Sequence, residues 1–96
     1  MMTKIQLIDC AKFKDTNVFC ILVFGDTTSV LTKTLYTLMT SFEVPVRVID
    51  TEENLLTYSE FRIRTTPSVH IYKNSEIVGN FSLPIDIEAV QICLKN

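Results

Sequence analysis

Reactivity in this 96-residue chain has few possible sources: three cysteines, one histidine and a cluster of hydroxyl and carboxylate side chains near the end of an apolar run. Disulfide exchange needs thiols close together, and metal binding needs ligands at short, regular spacing. Cys10, Cys20 and Cys93 offer neither, being odd in number and far apart. Each is read as a free thiol serving as a small apolar side chain, which fits a reducing, cytoplasmic compartment. His70 stands between Val69 and Ile71 in a β-rich run, so it faces the opposite side of the strand from both. With no second histidine or carboxylate cluster near it in sequence, it is read as a packed side chain. No metal or other cofactor is implied. The sequence Asp26-Thr27-Thr28-Ser29 follows Gly25, and its first three residues are helix N-cap types.

These residues need elements to position them. Residues 4–9 alternate Ile5 and Leu7 with Gln6, as a short strand would. Residues 11–17 are polar around Phe13, a short helix or loop. Residues 18–24 form an unbroken apolar run of seven, which predicts a strand buried on both faces. A helix is expected over residues 27–42, with Val30, Leu31, Leu35, Leu38, Met39 and Phe42 facing inward and Thr32, Lys33, Thr37 and Thr40 outward. Residues 44–49 make the next strand. Thr51 is expected to cap a further helix, with Glu52 and Glu53 near its positive end and Leu55, Leu56, Tyr58 and Phe61 as its apolar residues. Residues 68–73 and 76–81 form a hairpin around Asn74-Ser75. Pro84 suits the first turn of a last helix, with Ile87, Val90 and Leu94 inward.

The resulting order is β-α-β-α-β-α-β-β-α, an α/β fold with a mixed central sheet and helices on both faces. Length predicts one domain over residues 1–96. The 47% apolar content supports a core, and a net charge of −2 argues against disorder. A pI near 5.2 with scattered Lys and Arg gives no footprint for direct nucleic-acid binding. The seven-residue apolar run is far short of the roughly 20 residues of a membrane span. The N-terminal residues do not have the pattern of a secretory leader. Abundant Ile, Thr, Lys and Asn suit an AT-rich genome, such as some viruses and phages carry.

Residues 61–79 carry a specific resemblance. Phe61-Arg62-Ile63-Arg64-Thr65-Thr66-Pro67 leads into Ser68-Val69-His70-Ile71-Tyr72 and then Lys73-Asn74-Ser75-Glu76-Ile77-Val78-Gly79. This resembles the thioredoxin family's cis-proline segment, following strand and lysine-asparagine hairpin. Ile21-Leu22-Val23 resembles the family's central strand, and Val48-Ile49-Asp50 its next strand with the closing Asp. The resemblance implies a thioredoxin-like fold and a cis Thr66–Pro67 bond. It also implies that the backbone of Thr66 lies open beside the family's active site, where an extended partner segment can pair.

The family's Cys-x-x-Cys aligns with Asp26-Thr27-Thr28-Ser29. The next residues, Val30-Leu31-Thr32-Lys33-Thr34-Leu35, resemble the stretch after the second cysteine of glutaredoxins. Hydroxyls and a carboxylate cannot perform disulfide exchange, because the nucleophile must be a thiolate. The chain has no Trp beside the motif. The family's buried acid aligns with Phe24, and its basic partner with Val46. The expected function is therefore a redox-inactive, protein-binding adaptor. Its binding positions would be Asp26, Thr27, Thr28, Ser29, Thr66 and Pro67, and it would act as a monomer or weak homodimer. Two alternatives are kept: an oxidoreductase with atypical or residual thiol chemistry, resembling glutaredoxins, and an oligomerising regulator resembling the clock protein KaiB.

Overall fold

A computed structural model describes residues 2–95. Four strands form one sheet in the order β2-β1-β3-β4, where β1 is Phe19–Gly25, β2 Val46–Asp50, β3 Ser68–Lys73 and β4 Glu76–Ser82. β1 runs parallel to β2 and antiparallel to β3, and β3 pairs antiparallel with β4. The sheet is thus mixed. A parallel pair requires a crossover, and helix α2 (Val30–Thr40) supplies it between β1 and β2.

Strand alternation divides the core in two. Ile21 and Val23 of β1 pack with Leu35, Tyr36 and Met39 of α2 and with Val90 of α4 (Ile87–Lys95). Cys20, Leu22 and Phe24 face the other way, toward Cys10 and Phe13 of α1 (Cys10–Asp15) and toward Ile63, Tyr58 and Phe61 around α3 (Thr57–Glu60). Helices therefore cover both faces, as the sequence predicts. Residues 20–25 of β1 are all buried, which accounts for the apolar run without alternation. Each such Ile, Leu, Val or Phe contributes roughly 1.5–3 kcal/mol by leaving water.

Four local expectations are corrected. The opening strand shrinks to a bridge between Lys4 and Val48, framed by Ile5 N–H to Val48 O (2.9 Å) and Val48 N–H to Thr3 O (3.0 Å). The chain then turns into a 3-10 segment, Leu7–Asp9, which runs directly into α1 and leaves Ile8 in solvent.

Helix α2 begins at Val30 rather than residue 27, because the Asp26 side chain folds the preceding residues into a turn of their own. Its buried face is Thr32, Leu35, Tyr36 and Met39, whereas Val30 and Leu31 are 73% and 57% exposed and Leu38 is also exposed. Tyr36 draws the helix around, since its hydroxyl accepts from Thr3 N–H (3.1 Å) and donates to Val46 O (3.3 Å).

Thr51 is buried and caps no helix; Asp50 Oδ1 accepts the N–H groups of Glu52 and Glu53 instead. The helix that follows is only the four-residue α3, which leaves Leu55 and Leu56 exposed. Pro84 precedes α4 rather than opening it, and Asp86 Oδ1 accepts the Ala89 N–H at the helix start. The hairpin turn falls at Asn74-Ser75, where both residues take left-handed φ values of 51° and 69°.

Candidate functional site

The site grows from the end of β1. Gly25 is required there by close packing: a Cβ on it would stand 2.5 Å from Thr32 Oγ1 and 3.3 Å from Pro67 Cβ. That contact places the proline loop against the end of β1 and the first turn of α2. After Gly25, Asp26 Oδ1 accepts both the N–H (2.8 Å) and the hydroxyl (2.7 Å) of Thr28, and Ser29 N–H bonds to Asp26 O (3.0 Å). Local bonding of this kind competes with helix formation, so Asp26-Thr27-Thr28-Ser29 is a pre-helical turn. Ser29 is the N-cap residue by position, but its hydroxyl makes no capping bond.

Thr27 ties this turn to β2. Its N–H and its hydroxyl both donate to Asp50 Oδ2. Burial acts to raise the Asp50 pKa, but hydrogen bonds from Thr27, Glu52 and Glu53 outweigh it and hold the carboxyl below its ordinary value. Asp50 thus serves as the buried post to which the turn is fastened.

On the facing loop, the Thr66–Pro67 bond is cis, Pro67 is buried and Thr66 is exposed. No hydrogen bond within the described residues takes up the backbone N–H or C=O of Thr66. The structure therefore brings Gly25, Thr32 and Pro67 into contact, with Asp26–Ser29 following directly.

The thiols lie elsewhere. Cys10 and Cys20 are buried, and burial pushes both thiols up to about 11, with Lys14 opposing the shift. Cys10 Sγ donates to Gln6 O (3.5 Å). Cys93 lies on α4, where its Sγ donates to Val78 O (3.3 Å). Phe24 and Val46 belong to opposite core clusters, so the two positions do not form a facing pair. His70 is buried edge-on against Phe24, with ring centroids 4.8 Å apart. Burial, and secondarily Lys14, pushes its pKa down to about 4, so it is neutral at pH 7. Among the described residues, no three His, Cys, Asp or Glu side chains are grouped to hold a metal ion.

Sequence reasoning missed two features. Val30 and Leu31, assigned to the core, are exposed immediately after the turn; the competing i, i+3, i+4, i+7 set Thr32, Leu35, Tyr36, Met39 was the signal. The second is Asp50 as anchor, which only the β1–β2 pairing of Gly25 with Asp50 reveals. A cavity of about 580 Å³ opens beside Thr27, lined further by Lys33, Tyr36 and Thr37 of α2 and by Lys4.

No family model and no curated protein matches the chain. Solved structures do match. A mutant thioredoxin from Halobacterium salinarum NRC-1 superposes with a TM-score of 0.79 at 16% identity, covering 99% of this chain and 87% of that one. Thioredoxin from Plasmodium falciparum gives 0.75 at 16% identity, covering 99% and 98%. Mitochondrial thioredoxin 3 from Saccharomyces cerevisiae, in its oxidized form, gives 0.74 at 18% identity, covering 98% and 93%. At such low identity the match shows the fold: this chain has the thioredoxin fold.

Proposed function

We propose that this thioredoxin-fold chain is a redox-inactive adaptor that holds an extended segment of a partner protein along the Thr66–Pro67 edge. The observation that carries this reading is the exposed Thr66, whose backbone N–H and C=O are unpaired beside a turn made rigid by Asp26 and Asp50. An unpaired backbone edge is where an extended peptide adds main-chain hydrogen bonds. Asp26, Thr27, Thr28 and Ser29 follow directly on Gly25, which packs close to Pro67, and Val30 and Leu31 supply exposed apolar area for partner side chains.

The thiols support the same reading. At neutral pH Cys10 and Cys20 are protonated and enclosed, and neither is a nucleophile in that state. The module works in the reducing cytoplasm as a monomer or weak homodimer, without direct contact to nucleic acid or membrane. Among the described residues, no helix is long and apolar enough to cross a membrane.

Affinity capture from host lysate tests the reading. Wild type is compared with a Val30→Asp/Leu31→Asp variant, whose changes fall on exposed positions that leave the core intact. The partner is expected with wild type and lost with the variant. Equal recovery from both removes this edge from consideration.

A further inference from the structure

Ile8, Leu55 and Leu56 are 88%, 67% and 67% exposed. The 3-10 segment Leu7–Asp9 holds Ile8 outward, and the four-residue α3 is too short to bury Leu55 and Leu56, which lead into it. Two hollows of about 480 and 430 Å³ meet there. Leu7, Leu55 and Leu56 line one, Leu7 and Ile8 line the other, and Asn54 belongs to both. The apolar side chains therefore share one face. An exposed apolar patch with a polar rim marks an interaction surface. Neither hollow uses Asp26, Thr27, Thr28, Ser29, Thr66 or Pro67.

The rim of this face is acidic. Glu52 and Glu53 line the first hollow and Glu60 the second, and no Lys or Arg lines either. Glu53 is held by Lys4, with Nζ 2.8 Å from Oε1. Among the described residues, Glu52 and Glu60 have no cation within ion-pair distance. The backbone here is already engaged. The carbonyls of Asn54, Leu55 and Leu56 accept the N–H groups of Thr57, Tyr58 and Glu60, and Gln6 O accepts that of Asp9. On neighbouring β2, Val48 bonds to Thr3 and Ile5. An incoming strand would find these acceptors taken. Side-chain contact is the remaining mode, and an amphipathic helix supplies it by laying an apolar stripe on the patch.

We propose that this face docks a basic amphipathic helix of a partner protein, with the helix's apolar stripe on Ile8, Leu55 and Leu56 and its Lys or Arg residues over Glu52 and Glu60. Burial of the apolar side chains supplies the affinity, and opposite charge sets orientation and association rate. A second copy of this chain is a poor match. Its net charge is −2, and a two-fold contact through this face would bring like-charged rims together. Anionic lipid and nucleic acid meet the same repulsion. This surface is independent of the partner edge, and either can fail without the other.

The probe is a synthetic peptide of about 18 residues, long enough to be helical alone, with Leu on one face and Lys on the other. A second peptide keeps the Leu pattern and carries Glu in place of Lys. Each is titrated at constant ionic strength while the methyl groups of Ile8, Leu55 and Leu56 are followed by NMR. A saturable shift of these methyls is expected with the Lys peptide, at least tenfold weaker with the Glu peptide. Leu55→Ser/Leu56→Ser should weaken binding at least tenfold, and Glu52→Lys/Glu60→Lys likewise; all four positions are exposed, so Tm should stay near wild type. Equal binding of the two peptides, shifts centred on Val30 and Leu31 instead, or no saturable shift overturns the proposal. So does a dimer of the free protein in light scattering that Leu55→Ser/Leu56→Ser abolishes, because the occupant is then a second copy.

Discussion

Thr27 gives both its backbone N–H and its hydroxyl to one oxygen of Asp50, 23 residues away. This pairing joins the pre-helical turn at Asp26–Ser29 to the end of the strand beside it. A hydrogen bond to a charged group contributes about 1.5–3 kcal/mol. Asp50→Asn should therefore lower stability by about 2 kcal/mol at neutral pH, and a double-mutant cycle with Thr27→Val should show coupling of about 0.5 kcal/mol or more. Because the Asp50 pKa is held below the ordinary 3.8, the charged form is favoured in the folded state. Its contribution is present above that value and lost as pH falls through the lowered one. The gap between wild type and Asp50→Asn, read by urea unfolding, should close in that acidic range.

His70 governs a different window. Its folded pKa is about 4 against an ordinary 6.5, so the unfolded chain binds the extra proton between those values. Stability should fall as pH drops from about 6.5 to about 4, by up to about 3 kcal/mol. Burial is the main cause, and Lys14, whose Nζ lies 4.8 Å from the Tyr72 ring centroid, adds to it. His70→Leu should flatten this slope. Unfolding curves across the range, in phosphate-free buffer, check it; an unchanged slope assigns the sensitivity to other groups.

Gly25 sets the distance between α2 and the proline loop. In Gly25→Ala the new methyl group meets Thr32, which is itself buried. Overpacking of this kind costs about 1–3 kcal/mol. A second change, Thr32→Ala, removes both atoms nearest the new Cβ and should restore most of the loss. Thermal unfolding of the single and double variants measures both effects.

The thiols should behave as core side chains. Cys10 and Cys20 should resist an aromatic disulfide reagent in the folded protein and react once denaturant is added. Insulin reduction should not exceed that of a variant with all three cysteines replaced by alanine. Rapid labelling of Cys10 or Cys20 without denaturant would contradict their placement in the core.

Much of the architecture is legible in the sequence. The unbroken apolar run around Leu22 marks a doubly covered strand, and Asn74-Ser75 marks the hairpin. Thr66-Pro67 is recognisable by its place between those elements. The features that escape depend on contacts between distant residues. Thr27 resembles a cap because its true acceptor, Asp50, belongs to another strand. Thr32 reads as exposed because it is polar, although with Leu35, Tyr36 and Met39 it forms the i, i+3, i+4, i+7 set that faces the core. The opening residues alternate like a strand, yet the 3-10 turn at Leu7 ends the pairing after one bridge.

The central claim is that a binding edge functions here without thiol chemistry. Quantitative affinity capture tests it most directly when wild type is compared with a variant carrying Cys10→Ala, Cys20→Ala and Cys93→Ala and with Val30→Asp/Leu31→Asp. The account predicts equal partner recovery by wild type and the cysteine-free variant, and loss with the edge variant. Loss of the partner with the cysteine-free variant, provided it remains folded by circular dichroism, together with undiminished recovery by the edge variant, would contradict it.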